Sequence, residues 1–185
     1  MFGPASTCCY PARRSSTGNG AIASWQGNIM STIDSASLLW FMDSLVTIRV
    51  SMSDGQDGIS VIEHQAPCGF GPPLHLHRTE DEIFQVLEGE IRVKVRDQER
   101  RAGPGDVFLA PKGVPHTYRI ESPQGARTLT ITARGDFERF VRALSRPAER
   151  PELPTPAGVP SVEMIQTLTA TAAKYGIEII GPPLR

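Results

Sequence analysis

Residues 69–89 read GFGPPLHLHRTEDEIFQVLEG and carry His75 and His77, two of the chain's four histidines, just ahead of three consecutive acids. Successive side chains of a strand point to opposite faces, so positions i and i+2 share one face about 7 Å apart. His75 and His77 therefore face the same way. A divalent transition ion needs several neutral imidazoles or carboxylates converging on one point, and this pair supplies two. Among the acids, Glu82 opens an apolar run in phase with Phe84 and Val86. Wherever those two face, Glu82 faces as well, which makes it the third candidate ligand. Asp81 has the opposite phase and Glu80 falls in the expected turn, so Glu82 stands ahead of its neighbours.

A second stretch, GDVFLAPKGVPHTYRI from Gly105 to Ile120, adds His116 in phase with Tyr118 and Ile120. Gly105, Pro111, Gly113 and Pro115 supply the turns by which a hairpin could bring His116 back across from the pair. The candidate set is then His75, His77, Glu82 and His116. Four protein ligands leave one or two positions open on a five- or six-coordinate ion, which suits substrate activation better than structural bracing. The positions in phase with the ligands, Phe84, Val86, Tyr118 and Ile120, form the expected substrate wall, whereas Arg92, Lys94, Arg96 and Arg119 are out of phase. A phosphorylated or dicarboxylic substrate would call for an inward cation. A flat, neutral, aromatic molecule is the better match.

Around these stretches lie further short β-type runs: LVTIRVS (45–51), GISVIEH (58–64), EIRVKVRD (90–97), DVFLA (106–110) and RTLTITA (127–133). In EIRVKVRD, Ile91, Val93 and Val95 alternate with Arg92, Lys94 and Arg96, the period of a half-buried strand. Short strands broken by Gly, Pro and Asp predict an all-β sandwich or barrel. After Gly135 the period changes. Phe137, Phe140, Val141 and Leu144 fall at helical spacing with Asp136 placed to cap the first turn. A Pro-rich linker precedes a second expected helix from Val162 to Lys174, with Ile165, Leu168 and Ala172 on one side and a stop near Gly176.

The remaining features narrow the function by exclusion. The net charge is −1 over 185 residues, and no Lys/Arg block exceeds a pair, so nucleic acid is not expected as a partner. No apolar run approaches the ~18 residues of a membrane span, and residues 1–20 lack the apolar segment of a secretion signal. These observations predict a cytoplasmic, non-membrane protein. Cys8, Cys9 and Cys68 form neither a disulfide framework nor a zinc pattern, and Cys68 reads as a buried, inert thiol. His64 reads as an ordinary, partly exposed histidine. Residues 1–35 lack apolar period and are expected to be a disordered or over-annotated leader, with Met30 an equally good start.

The two gapped motifs resemble those of the cupin superfamily. Gly69, five residues, His75, one residue, His77, four residues, Glu82, six residues and Gly89 reproduce the first in full. Gly105, five residues, Pro111, one residue, Gly113, two residues and His116 reproduce the second, with Ile120 where asparagine is usual. That exchange removes no ligand and makes the wall more apolar. The tail, GDFERFVRALSRPAERPELPTP (135–156) and KYGIEIIGPP (174–183), is similar to that of small single-domain cupins resembling quercetin 2,3-dioxygenase, so the likeness runs over about residues 38–185. The resemblance implies a double-stranded β-helix, or jelly-roll barrel, over 36–134 with a helical extension over 135–185. It implies one divalent ion, Mn, Fe, Co, Ni, Cu or Zn, held by His75, His77, Glu82 and His116. It also implies a homodimer and a dioxygenase using O2, in which Glu82 takes the proton of a flavonol-like hydroxyl. The alternatives are a non-catalytic metal-dependent binding protein and a metal-assisted isomerase or decarboxylase, since cupin folds carry many activities.

Overall fold

The computed structural model describes residues 38–185; the readings of the leader, of Cys8 and Cys9 and of Met30 lie outside them. In chain order the strands are β1 (Leu38–Phe41), β2 (Ser44–Val50), β3 (Ser60–Ala66), β4 (Pro73–His77), β5 (Glu82–Glu88), β6 (Ile91–Val95), β7 (Gln98–Ala102), β8 (Val107–Ala110), β9 (His116–Ile120) and β10 (Ala126–Thr132). They are followed by α1 (Asp136–Leu144), the short β11 (Arg146–Pro147), α2 (Val162–Lys174) and β12 (Ile177–Pro183). The expected all-β architecture is present as two antiparallel sheets, ordered β11-β1-β2-β3-β10-β5-β8 and β12-β4-β9-β6-β7.

Alternation decides which side chains meet between the sheets. In β5, Glu82, Phe84 and Val86 are buried while Ile83 is exposed; in β6, Ile91 and Val93 are buried. The inward residues form two apolar clusters. One, around Phe84, Val86, Ile91, Phe108 and Tyr118, fills one end of the sandwich. The other joins Phe41, Val46, Ile48 and Ile62 to Phe137, Phe140 and Val141 of α1, Ala172 of α2 and Ile177 of β12. The tail thus completes a core that the first ten strands leave open on one side.

Turn chemistry explains the motif glycines at two points. Gly89, between β5 and β6, has φ +80°, and a Cβ there would stand 2.5 Å from the Gly125 carbonyl oxygen. Only glycine fits both conditions. Gly113, at φ +77° in the β8–β9 loop, donates its N–H to the His77 carbonyl at 2.7 Å. That bond joins the loop before His116 to the strand of the histidine pair.

The expected helical extension is present as α1 and α2 and adds two strands, β11 paired with β1 and β12 paired with β4. Three expectations need correction. Asp136 does not cap α1: the N-cap is Gly135, and the Asp136 carboxylate pairs with Arg139 at 2.9 Å. The first free N–H groups are instead met from a distant segment, since Glu80 accepts from Phe137 N at 2.7 Å. Helix α2 spans the expected residues and is capped by Ser161, yet Ile165 lies on the exposed side and only Ala172 is fully enclosed. Cys68, in the segment between β3 and β4, is exposed, not buried. Among the described residues no helix is long and apolar enough to cross a membrane.

Candidate metal centre

His75, His77, Glu82 and His116 are all buried, and one ligand-type atom from each lies within 4.8 Å of the others. Three strands of the two sheets deliver them. His75 and His77 share the inward face of β4, Glu82 begins β5, and His116 begins β9 directly opposite His75. The ring centroids of His75 and His116 are 4.3 Å apart, and His77 lies 5.3 Å from His75 and 5.5 Å from His116. The cluster sits between the two apolar cores, with Phe84 6.0 Å from His116 on one side and Phe137 5.8 Å from His77 on the other.

Backbone carbonyls set the ring orientations. His75 Nδ1 lies 2.8 Å from Pro73 O and His116 Nδ1 lies 3.0 Å from Val114 O. A carbonyl only accepts, so each bond places a hydrogen on Nδ1 and leaves Nε2 as the free donor atom of the ring. His116 Nε2 nevertheless stands 2.9 Å from Glu82 Oε2, and His77 Nε2 stands 3.2 Å from the same oxygen. A lone pair of His116 facing the carboxylate at this distance needs a positive charge between them, either a proton or a metal ion. His77 Nδ1 and Nε2 also lack a hydrogen-bond partner although both are buried. The donor set therefore fits a divalent ion, and the carbonyl bonds are the kind of outer support that holds metal-ligating imidazoles in place.

The electrostatics of the metal-free cluster agree. Burial alone would lower His77, but the Glu82 carboxylate and a weaker contribution from Glu80 overcome it and push the group up to about 9. Burial, reinforced by His116, pushes His75 down to about 3. Burial would raise Glu82, yet His77 and His116 hold it well below the usual carboxylate range. A proton on His77 does locally what a metal cation would do.

Two opposite stability trends follow. His75, and His64 with a value lowered by burial to about 4, stay neutral in the fold but gain protons in the unfolded chain below about 6.5. They stabilise the protein above that pH, and this is lost as pH falls toward 4. His77 works in reverse: its contribution is complete below about 6.5 and disappears as pH rises through about 9. Chelator-treated protein should therefore melt at its highest temperature near neutral pH, with an alkaline limb on the order of 3 kcal/mol and an acid limb, to which two histidines contribute, about twice as large. Saturating metal should flatten the alkaline limb, because the ion replaces the proton. Identical alkaline limbs with and without metal would count against a cation among these four residues.

The acid triplet divides its labour. Asp81 is exposed and accepts from Lys112 N at 2.8 Å. Glu80 is buried, accepts from Phe137 N and, at 3.3 Å, from Arg134 N, and lies 3.5 Å from His77 Nδ1. It links the cluster to the start of α1. Sequence placed Glu80 in a turn, and the turn is there; its second partner comes from more than 50 residues along the chain and leaves no local signal.

A cavity opens beside the cluster. His75, Glu82, Phe84 and Tyr118 line it from the barrel, and Phe137, Phe140, Leu168, Ile177 and Ile179 line it from the tail. Its volume is about 60 Å³, and Met42 on its lining is 40% exposed. Of the expected substrate wall, Phe84 and Tyr118 line the cavity, while Val86 and Ile120 face inward at greater depth, within the apolar core. No Lys or Arg lines it among the described residues. Arg92 is held outside by Glu99 and Glu121, and Arg119 reaches Gly69 O. β12 runs along β4 with Ile177 beside His77 and Ile179 beside His75, so the tail strand forms part of the wall.

His64 is the residue that sequence reasoning misplaced. It is 5% exposed, lines the cavity and lies 5.9 Å from the Phe137 ring. Its phase with Ile62 and Ala66 in β3 was the available signal. Its Nε2 is buried with no hydrogen-bond partner, an arrangement that costs about 1–3 kcal/mol in the absence of a ligand.

Comparison with known proteins places this geometry in a family context. Residues 61–132 match the Cupin domain. The chain is 32% identical over 97 residues to quercetin 2,3-dioxygenase of Bacillus subtilis, a match covering 52% of this chain and 28% of that protein. It is 32% identical over 124 residues to dimethylsulfoniopropionate lyase DddQ of Ruegeria pomeroyi, covering 64% of this chain and 58% of that one. The chain thus spans well under two thirds of the length of either relative. Among solved structures, a predicted oxalate decarboxylase from Thermotoga maritima superposes with a TM-score of 0.51 at 17% identity, over 56% of this chain and 98% of that one.

Proposed function

Residues 61–132 match the Cupin domain, and from that premise we propose that the chain is a cupin and a metal-dependent enzyme cleaving a small, uncharged, oxygen-bearing aromatic molecule with O2. One observation carries the reading: four buried ligand-type residues converge at the side of an aromatic-lined cavity that holds no cationic side chain. His75, His77, Glu82 and His116 would hold the ion. Once bound, it would supply Lewis-acid polarisation of a substrate oxygen and the redox capacity that O2 chemistry requires.

The chain's own residues do the rest. Glu82, ionised throughout the working pH range, accepts the proton of the substrate hydroxyl on its carboxylate. Phe84, Tyr118 and Phe137 flank the ring and orient it, and the apolar tail keeps water from the reacting end. The cavity is small, about 60 Å³, so single-ring enols and catechols are expected to be accepted at least as readily as three-ring flavonols.

A second reading is a metal-dependent lyase needing no O2. It is favoured by the match to the lyase DddQ, which runs over 124 residues. Both readings meet in one experiment. Metal-loaded protein is screened by oxygen electrode and by product analysis, with and without O2, over catechols, flavonols and dimethylsulfoniopropionate. Oxygen uptake matched to loss of an aromatic substrate supports the dioxygenase; anaerobic cleavage of the sulfonium compound supports the lyase. Coordination shifts without turnover under either condition would leave a metal-dependent binding protein.

A further inference from the structure

We propose that His64 is a binding residue of the cavity, hydrogen-bonding a second oxygen, hydroxyl or carbonyl, of the molecule whose first oxygen faces the His/Glu cluster. This rests on the cavity's proposed role as a site for small oxygenated aromatics and extends it to a second polar anchor.

The argument begins with an anomaly. Buried polar atoms almost always have partners, and β3 has every opportunity to place an apolar residue at position 64, between Ile62 and Ala66 on the inward face. The position instead carries an imidazole that lines the cavity, with Nε2 unpartnered among the described residues. His64 is outside the cluster: it belongs to β3 of the larger sheet, whereas the three clustered histidines belong to β4 and β9 of the smaller one. The Phe137 ring neighbours both, 5.9 Å from His64 and 5.8 Å from His77. The cavity thus offers two polar points beside one aromatic ring. Burial keeps the imidazole neutral despite Glu82 and Glu63 nearby, so it presents one donor and one acceptor. A neutral hydroxyl or carbonyl satisfies such a group, and an anion gains little from it.

Two variants and two one-ring probes test this with metal-loaded, full-length protein. Resorcinol carries two oxygens across the ring and phenol carries one. The wild type should bind resorcinol more tightly than phenol, and the ring nitrogen signals of His64 in ¹⁵N-histidine-labelled protein should move with resorcinol only. His64→Leu should erase most of the preference, about tenfold for one hydrogen bond, and His64→Gln should keep part of it. Ligand-free His64→Leu should also melt no lower than wild type, because the unpaired polar atom is gone. An unchanged preference together with a lowered melting temperature would overturn the proposal and make His64 a structural residue. If the wild type binds neither probe, the aromatic substrate class fails separately. The melting comparison then decides His64 by itself: a higher value for the Leu variant retains a ligand-facing group, and a lower one rejects it.

Discussion

His75→Ala is expected to lose at least 100-fold in metal affinity, about 2.7 kcal/mol, and with it the turnover proposed above. His75 Nδ1 is tied to Pro73 O, which directs Nε2 into the cluster, and His116 faces it directly across the β4–β9 pair. No neighbouring side chain can take its place, because Leu74 and Leu76 on either side have the opposite phase. The fold should survive, since His75 is held neutral by burial and its removal strands no buried charge. The effect is readable without any substrate. An ion present at 100 times its dissociation constant stabilises the wild type by about 2.7 kcal/mol, roughly 5–10 °C in a domain of this size. Metal analysis of the purified variant and its melting curves with and without added ion check both parts. A variant that keeps wild-type stoichiometry and the full thermal shift would show that the ion, if any, is held elsewhere.

Glu82→Gln separates holding the metal from using it. The amide is nearly isosteric and its oxygen can still coordinate, so a fraction of the metal should remain. What the amide lacks is the basic carboxylate that, in the proposed function, takes the substrate proton. Turnover is expected to fall by about 10²–10⁴, the usual range for a general base, with kcat reduced far more than KM changes. The comparison is made per bound metal ion, by single-turnover kinetics on variant protein of measured metal content. If activity per ion matched the wild type, Glu82 would be a ligand only and the base would have to be sought elsewhere on the cavity wall, where His64 and Tyr118 are the ionisable groups other than the ligands. Burial pushes that phenol above its ordinary range, which disfavours it as a base at neutral pH.

The parts of this protein legible in its sequence are those governed by local period. Strand phase alone put Glu82 with Phe84 and Val86, His75 with His77, and His116 with Tyr118, and all of these face the interior. Helical spacing marked α1, and the bounds expected for α2 are those observed. Gly89 and Gly113 could be recognised as turn residues because their backbone conformation is a property of a few consecutive bonds. Strand β7, by contrast, has no apolar period: Gln98, Glu99, Arg100 and Arg101 are all exposed. It exists because β6 offers it a ladder.

Only the tertiary structure decided the rest, and in each case the deciding partner is far along the chain. The segment Ile177–Pro183 contains Gly181, Pro182 and Pro183 and does not read as a strand, yet prolines are tolerated at a sheet edge, and β4 supplies the pairing. That docking places Ile177 and Ile179 beside the two histidines and turns a tail into a wall of the cavity. The sequence presents Glu80 as one of three turn acids; it became the cap of α1 because the helix starts against it. His64 looked exposed because a polar residue in an amphipathic strand is usually on the wet face, and its burial depends on Phe137, which arrives 73 residues later from α1. Phase tells which side chains share a face. Which face is covered, and by what, is settled by the free energy of burying apolar surface from distant segments, and no local period records it.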